Sequence, residues 1–299
     1  MNITLTGASG FLGNRLIARL LQDGHTLRVL GRKRSASLPV AVEFIEWDAV
    51  KEPAPKASLA DADAVFHLAG EPVAQRWSDE VKRRIMDSRK LGTRNLVRGL
   101  ADSARKPAVL VSASATGYYG DRGEEILVED SDPGSGFLPE VCIEWEKQSL
   151  NAEVLGIRVA TVRIGLVLGK EGGALAQMLP PFKLGLGGRL GSGRQWMPWI
   201  HVDDLIELFV FAMMRDGVAG AVNGVSPVPV RNADFTAALA SALHRPAIFP
   251  VPRFALKVLF GEMAEVVLGS QKVLPKAAEG AGFGFHYRDV KVALAALLG

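Results

Sequence analysis

Short apolar runs alternate with amphipathic stretches through the first two thirds of the chain. Residues 2–5 are apolar and β-branched, which predicts a buried strand, and residues 11–21 carry apolar positions at helical spacing. The same reading gives strands at 26–30, 42–46, 64–68, 108–112 and 158–163, with helices at 78–101 and 138–154 between them. Such alternation favours a parallel sheet covered by helices on both faces, wound by right-handed crossovers. After residue 165 the character changes. Residues 169–193 are rich in glycine around Pro180-Pro181, too many breakers for regular sheet continuation, which predicts a mobile or substrate-facing segment. Helical periodicity returns at 203–214, 232–243, 253–268 and 289–298.

The link between the first strand and the first helix reads Thr6-Gly7-Ala8-Ser9-Gly10-Phe11-Leu12-Gly13. A backbone there must turn tightly, approach a pyrophosphate and let the helix pack near the sheet; one glycine serves each need. The helix start then offers free N–H groups to phosphate. Gly7, Ser9, Gly10, Phe11, Leu12 and Gly13 are therefore expected to bind a dinucleotide. The second strand runs into Gly31-Arg32-Lys33-Arg34-Ser35, with no carboxylate. A basic residue at this strand end accommodates a ribose 2′-phosphate, and arginine presents a planar fork to its oxygens. Arg32 and Lys33 thus favour NADP(H) over NAD. Asp48, after the third strand, is expected near the adenine. The fold class expected is α/β, a Rossmann-type doubly wound parallel sheet with a smaller C-terminal substrate lobe. Residues 1–165 form the NADP-binding core, completed by part of 195–225, and residues 166–299 form the substrate lobe and C-terminal helices.

Composition narrows the partners. The 299 residues are 48% hydrophobic, normal for a chain with a substantial core. A net charge of +3, from 35 basic and 32 acidic residues, is too small to call for nucleic acid. Cys142 is the sole cysteine, which excludes an intrachain disulfide and offers no metal pair. No apolar run approaches the ~18–20 residues of a membrane span, and a strand stands where a signal peptide would begin. A cytoplasmic protein with a small-molecule substrate, no membrane partner and no metal is expected.

Several further motifs fall in order: His67-Leu68-Ala69-Gly70, Val111-Ser112-Ala113-Ser114-Ala115-Thr116-Gly117-Tyr118-Tyr119-Gly120, Arg163-Ile164-Gly165-Leu166-Val167-Leu168-Gly169 and Trp199-Ile200-His201-Val202-Asp203-Asp204-Leu205. With the glycine turn, they resemble the extended short-chain dehydrogenase/reductases of the NAD(P)-dependent epimerase/dehydratase type. Gly185-Leu186-Gly187-Gly188, Gly191 to Met197 and Gly269 to Lys276 resemble its atypical YfcH-type branch, usually named "epimerase family protein", which carries a C-terminal segment of unknown function. The resemblance implies NADP binding, with Leu68, Ala69 and Gly70 along the adenosine side. It also implies a homodimer as one assembly. It implies no particular substrate.

The family uses a Tyr and, four residues on, a Lys on the helix after the serine strand. Here that helix reads Phe137-Leu138-Pro139-Glu140-Val141-Cys142-Ile143-Glu144-Trp145-Glu146-Lys147, with no Tyr. Cys142 and Glu146, or Glu140 and Glu144, take those places. Ser114 matches the family serine, with Ser112 as the register alternative, and Tyr119 or Tyr118 can supply a phenol from another direction. Ser114 and Tyr119 are the catalytic candidates. Arg89, on the long helix, is a candidate for the cofactor phosphates. Asp203 is expected to cap a helix, and Trp196 and Trp199 to shape a pocket or pack two lobes. Tyr287-Arg288-Asp289-Val290-Lys291 repeats the family spacing near the C-terminus and is read as coincidence. The functional expectation is an NADP-binding epimerase/dehydratase-like oxidoreductase of a small hydroxyl or carbonyl compound. The alternative is a non-catalytic NADPH sensor or regulatory module.

Overall fold

The computed structural model describes residues 1–299. Its elements run β1 (Asn2–Thr6), α1 (Phe11–Gln22), β2 (Thr26–Gly31), β3 (Glu43–Glu46), β4 (Ala64–His67), α2 (Asp79–Asp102), β5 (Val109–Ala115) and β6 (Ile126–Leu127). They continue with α3 (Phe137–Leu150), β7 (Arg158–Ile164), β8 (Leu166–Leu168), α4 (Gly173–Lys183), β9 (Trp196–Met197), β10 (Trp199–His201), α5 (Val202–Met214) and β11 (Gly220–Gly224). The C-terminal part adds β12 (Val230–Arg231), α6 (Asn232–Leu243), α7 (Arg253–Phe260), α8 (Ala264–Leu268), β13 (Lys272–Val273), α9 (Lys276–Gly280) and α10 (Val290–Leu298).

Seven strands form one sheet in the order β11-β7-β5-β4-β1-β2-β3. Every pairing in it is parallel. The chain winds outward from β1 in both directions, so the crevice at the carboxyl ends of β1 and β4 is the topological switch point. Helices cover both faces, which is why β4 is wholly buried rather than alternating. Val109, Val111 and Ala113 of β5 join Leu16, Ile17, Leu20, Ile206 and Phe209 on the α1–α5 face. Leu110, between them, meets Leu96 and Leu100 of α2 on the other. Phe66 meets Phe209 edge-on, with ring centroids 6.2 Å apart, and burying such rings contributes about 1.5–3 kcal/mol each.

The remaining elements pack around a second apolar cluster. Trp199, Phe235, Leu239 and Leu294 pack together between α4, α6 and α10. The last segment returns to the sheet layer: Phe283 lies against Phe211 of α5 at 5.2 Å. The Asp204 carboxylate accepts the His286 and Tyr287 N–H groups, both at 2.9 Å.

Five local expectations change. The glycine-rich stretch contains α4, with Pro180 and Pro181 in its last turns. Leu175, Leu179 and Phe182 are buried at helical spacing there, and the glycines flank that pattern rather than interrupt it. The helix expected over 253–268 breaks in two because Gly261 takes φ +61°. β5 continues to Ala115, and α3 stops at Leu150 before a 3₁₀ turn. Finally, His201 caps α5 instead of Asp203, its Nδ1 accepting the Asp203 N–H at 3.1 Å. No helix is long and apolar enough to cross a membrane.

Candidate functional site

A cleft of about 960 Å³ opens at the switch point, walled by the β1–α1 turn, the β2 end and the segment after β4. Gly7 takes φ +73°, and a Cβ on it would stand 2.5 Å from the Leu68 carbonyl carbon and 2.6 Å from the Ala69 nitrogen. Only glycine lets the turn pass so close to β4. A Cβ on Gly13 would strike the Gly7 oxygen and Ala8, so that glycine seats α1 on the turn. Gly10 differs: its missing Cβ would meet only the Gly7 oxygen, at 3.4 Å. It is the N-cap of α1, with no side-chain cap and no acidic residue in the first turn. Exposed N–H groups and the positive helix end remain there for an anion. Ser9 and Gly10 line the cleft. Phe11, Leu12 and Gly13, expected at the cofactor, are not among the residues that line the cleft; the Phe11 ring lies where Gly169 and Gly172 leave out a Cβ, which packs the start of α1 against that segment.

Arg32 and Lys33 border the cleft, exposed and without an ion-pair partner. Arg34 is occupied, donating to the Val42 carbonyl at 3.1 Å and to the Pro39 carbonyl at 3.0 Å, which holds the loop. Ser35 also borders the cleft and pairs with Ser37 at 2.8 Å; sequence reasoning quoted it without giving it a role. Asp48 lies opposite. Partial burial acts to raise its pKa, but Lys51, the Val50 N–H and the charge of Arg32 outweigh that and hold it below the usual carboxylate range.

Leu68, Ala69 and Gly70 form the facing wall. A buried relay supports it. The Ala69 N–H donates to Thr6 Oγ1 at 3.3 Å. The Thr6 hydroxyl lies 2.7 Å from His67 Nδ1, and His67 Nε2 lies 2.9 Å from Thr93 Oγ1. One of these two hydroxyls donates to the neutral ring and the other accepts from it, as the His67 tautomer decides. Burial, and secondarily the charge of Arg89, lowers His67 to about 4. Arg89 does not line the cleft as expected. It stands behind Gly70, donates to the Glu71 carbonyl at 2.9 Å and stacks over Trp145 at 4.7 Å. Its charge can still be felt at the wall, but its fork is committed to holding the backbone.

The catalytic candidates enter a closed network rather than the cleft. Ser114 Oγ donates to Glu146 Oε1 at 2.6 Å. Glu146 also receives Arg163 through Nε and Nη2, both at 2.9 Å. Arg163 Nη1 donates to the Tyr119 hydroxyl at 3.0 Å and to the Glu129 carbonyl at 2.9 Å. Tyr119, wholly buried, donates to Asn223 Oδ1 at 2.7 Å. Burial pushes the Tyr119 phenol up to about 12 despite Arg163. This corrects the expectation that Ser114 and Tyr119 face a substrate: their hydrogen bonds are spent on one another's supports. Ser112, the alternative serine, accepts from Ser149 at 2.9 Å, again on α3. Cys142 lies buried beside Gly117, its thiol raised by burial to about 12, so it is no nucleophile.

The other candidates disperse. Glu140 is exposed, and Glu144 pairs with Lys90 at 2.9 Å. Trp199 is fully buried, its Nε1 donating to the Val228 carbonyl at 2.9 Å. Trp196 donates to Glu124 at 2.8 Å and lies beneath Arg231. Tyr287 stacks on His201 at 3.7 Å, far from any proton-transfer role. No three His, Cys, Asp or Glu side chains converge. Sequence reasoning missed the Glu146–Arg163 pair and Asn223. Arg163 near the end of a strand expected to be buried was the available signal, because a charge there requires a partner.

The chain matches the "NAD dependent epimerase/dehydratase family" over residues 3–223 and a "Domain of unknown function (DUF1731)" over residues 251–297. It is 46% identical over its whole length to the chloroplastic epimerase family protein SDR39U1 homolog of Arabidopsis thaliana, covering 87% of that protein. It is 37% identical to the epimerase family protein YfhF of Bacillus subtilis, covering 98% of it. Among solved structures, the human epimerase family protein SDR39U1 with NADPH superimposes with a TM-score of 0.90 at 31% identity, over 100% of this chain and 99% of that one. The glycine cradle, the sheet order and these matches agree: the protein belongs to the NAD dependent epimerase/dehydratase family.

Proposed function

We propose that the protein binds NADP(H) in the switch-point cleft and acts as an epimerase/dehydratase-like oxidoreductase on a small hydroxyl or carbonyl compound. The observation that carries this reading is the β2 end, where Arg32 and Lys33 border the cleft unpaired and no carboxylate follows β2 before residue 43. The residues fit the cofactor. Gly7 and Gly13 close the turn, Gly10 leaves a Cβ-sized space at an uncapped helix end, and Leu68 to Gly70 form a flat wall. The human relative solved with NADPH supports the same preference. When bound, the nicotinamide supplies the hydride chemistry. This chain's part is to grip the phosphates at α1, hold the 2′-phosphate at Arg32 and keep the β4 wall rigid through Thr6, His67 and Thr93. Calorimetric titration with NADPH and NADH tests it: tighter binding of NADPH supports the reading, and no heat with either ends it.

One observation favours the second reading, a non-catalytic NADPH sensor. The Ser114 and Tyr119 hydroxyls are both committed to buried partners, which leaves the family's acid–base pair without a replacement among the candidates. NADPH oxidation across a panel of carbonyl metabolites separates the two. Turnover with any of them rejects the sensor. Binding without turnover, accompanied by NADPH-dependent partner exchange in a pulldown, favours it.

A further inference from the structure

Two stretches of the lobe, residues 183–194 and 244–260, contain no Asp or Glu. They lie side by side: the Val251 N–H donates to the Arg189 carbonyl at 2.9 Å, and the Gly191 N–H to the Val251 carbonyl at 2.8 Å. Gly185 packs near Pro246, and Gly188 lies directly beneath the Phe249 carbonyl. From this joined surface Leu184, Leu186, Ile248 and Phe249 project, each at least 59% exposed. The helix that follows, α7, inverts the usual pattern of a surface helix. Leu256 is its one buried side chain, while Phe254, Val258 and Leu259 stand 72%, 70% and 64% exposed. Lys183, Arg189, Arg245, Arg253 and Lys257 lie exposed among these apolar groups, and none has an ion-pair partner. The far end of α7 is fixed, because Arg76 donates to the Val258 carbonyl at 3.2 Å and Lys82 pairs with Glu262.

We propose that this face is a peripheral docking surface for an anionic lipid bilayer. Exposed aliphatic and phenylalanine side chains ringed by unpaired cations are what insertion at a headgroup boundary requires: the apolar groups enter and the cations meet lipid phosphates. The absence of carboxylates removes the repulsion that an anionic surface would otherwise meet. A second copy of the chain fits less well, since a two-fold interface sets this patch against itself and opposes cation to cation. A peptide partner fits less well too, because side chains this exposed stand proud instead of lining a groove. No spanning helix is needed for such contact.

Co-sedimentation of the whole protein with vesicles tests it, using phosphatidylcholine alone and phosphatidylcholine with roughly a third phosphatidylglycerol. The expected result is partitioning about tenfold stronger onto the phosphatidylglycerol vesicles, lost in high salt. Phe254→Ser with Leu259→Ser, and separately Lys257→Glu, should lower it severalfold with an unchanged circular dichroism melt. Lack of binding to anionic vesicles, equal binding to both vesicle types, or partitioning that all three substitutions leave intact overturns the proposal. So does a dimer in light scattering that Leu259→Ser dissolves, which would assign the face to self-association. Capture of an acidic protein without any vesicle binding would likewise overturn it.

Discussion

Arg163 and Glu146 meet fork to fork, through two bonds of 2.9 Å, with side chains only 5% and 9% exposed. The pair joins β7 to α3. Burial pulls the Arg163 guanidinium down, but the hydrogen bonds and charge of Glu146 outweigh it and raise its pKa. Arg163 therefore keeps its charge, and its two bonds to Glu146 act as a fixed strut.

Removing one partner strands the other. Glu146→Ala should cost roughly 3–5 kcal/mol in urea denaturation, the usual result of leaving a buried charge unpaired. The double change Glu146→Leu with Arg163→Met should cost clearly less. Equal losses would show that the pair is not the source of the effect.

Arg32→Ala should weaken NADPH by about 1–3 kcal/mol, the loss of a charge-assisted bond, and hardly affect NADH. Parallel calorimetric titrations read the difference. Matching losses for both nucleotides would contradict the assignment of Arg32 to the 2′-phosphate.

The glycines of the turn should separate folding from binding. Gly7→Ala places a methyl 2.5 Å from the Leu68 carbonyl carbon at φ +73° and should damage both stability and NADPH binding. Gly10→Ala meets only the Gly7 oxygen at 3.4 Å, so the melting temperature should stay near wild type while NADPH binding is lost. Melting curves with and without NADPH check both. A Gly10→Ala protein that still binds would move the phosphate seat elsewhere.

His67 should make the fold acid-sensitive. Its pKa is about 4 in the folded chain against a usual 6.5. Between those values the unfolded chain binds a proton that the folded chain refuses, so stability falls as pH drops through this window and levels off below it. The loss from about pH 7 to pH 5 should be roughly 2 kcal/mol in urea midpoint experiments. His67→Gln should reduce that slope without abolishing it, since burial also lowers the pKa of His201.

Cys142 should resist alkylation. Its thiol is enclosed and raised to about 12, so iodoacetamide at mildly basic pH should label the unfolded protein and spare the native one. Ready labelling of the native chain would reopen α3 as a reactive surface.

The glycine turn at the cleft could be read directly from the chain because its determinants are local. Gly7, Gly10 and Gly13 lie within one turn, and Arg32 follows its strand immediately, so spacing carries the chemistry. The sheet class was equally readable, since burial on both faces forces continuous apolar runs such as 64–66. The fates of Ser114, Tyr119 and Arg89 were not. Their hydroxyls and fork are governed by Glu146, Asn223 and Glu71, and nothing in linear spacing says that Tyr119 will meet a residue on β11. The same holds for α7, whose apolar periodicity predicts a buried face, while packing gives it Leu256 alone and leaves the rest in water. Short-range geometry thus wrote the phosphate turn and the strand–helix rhythm into the order of residues. Which polar groups were enclosed, and which apolar ones were left outside, depended on how distant segments competed for the same space.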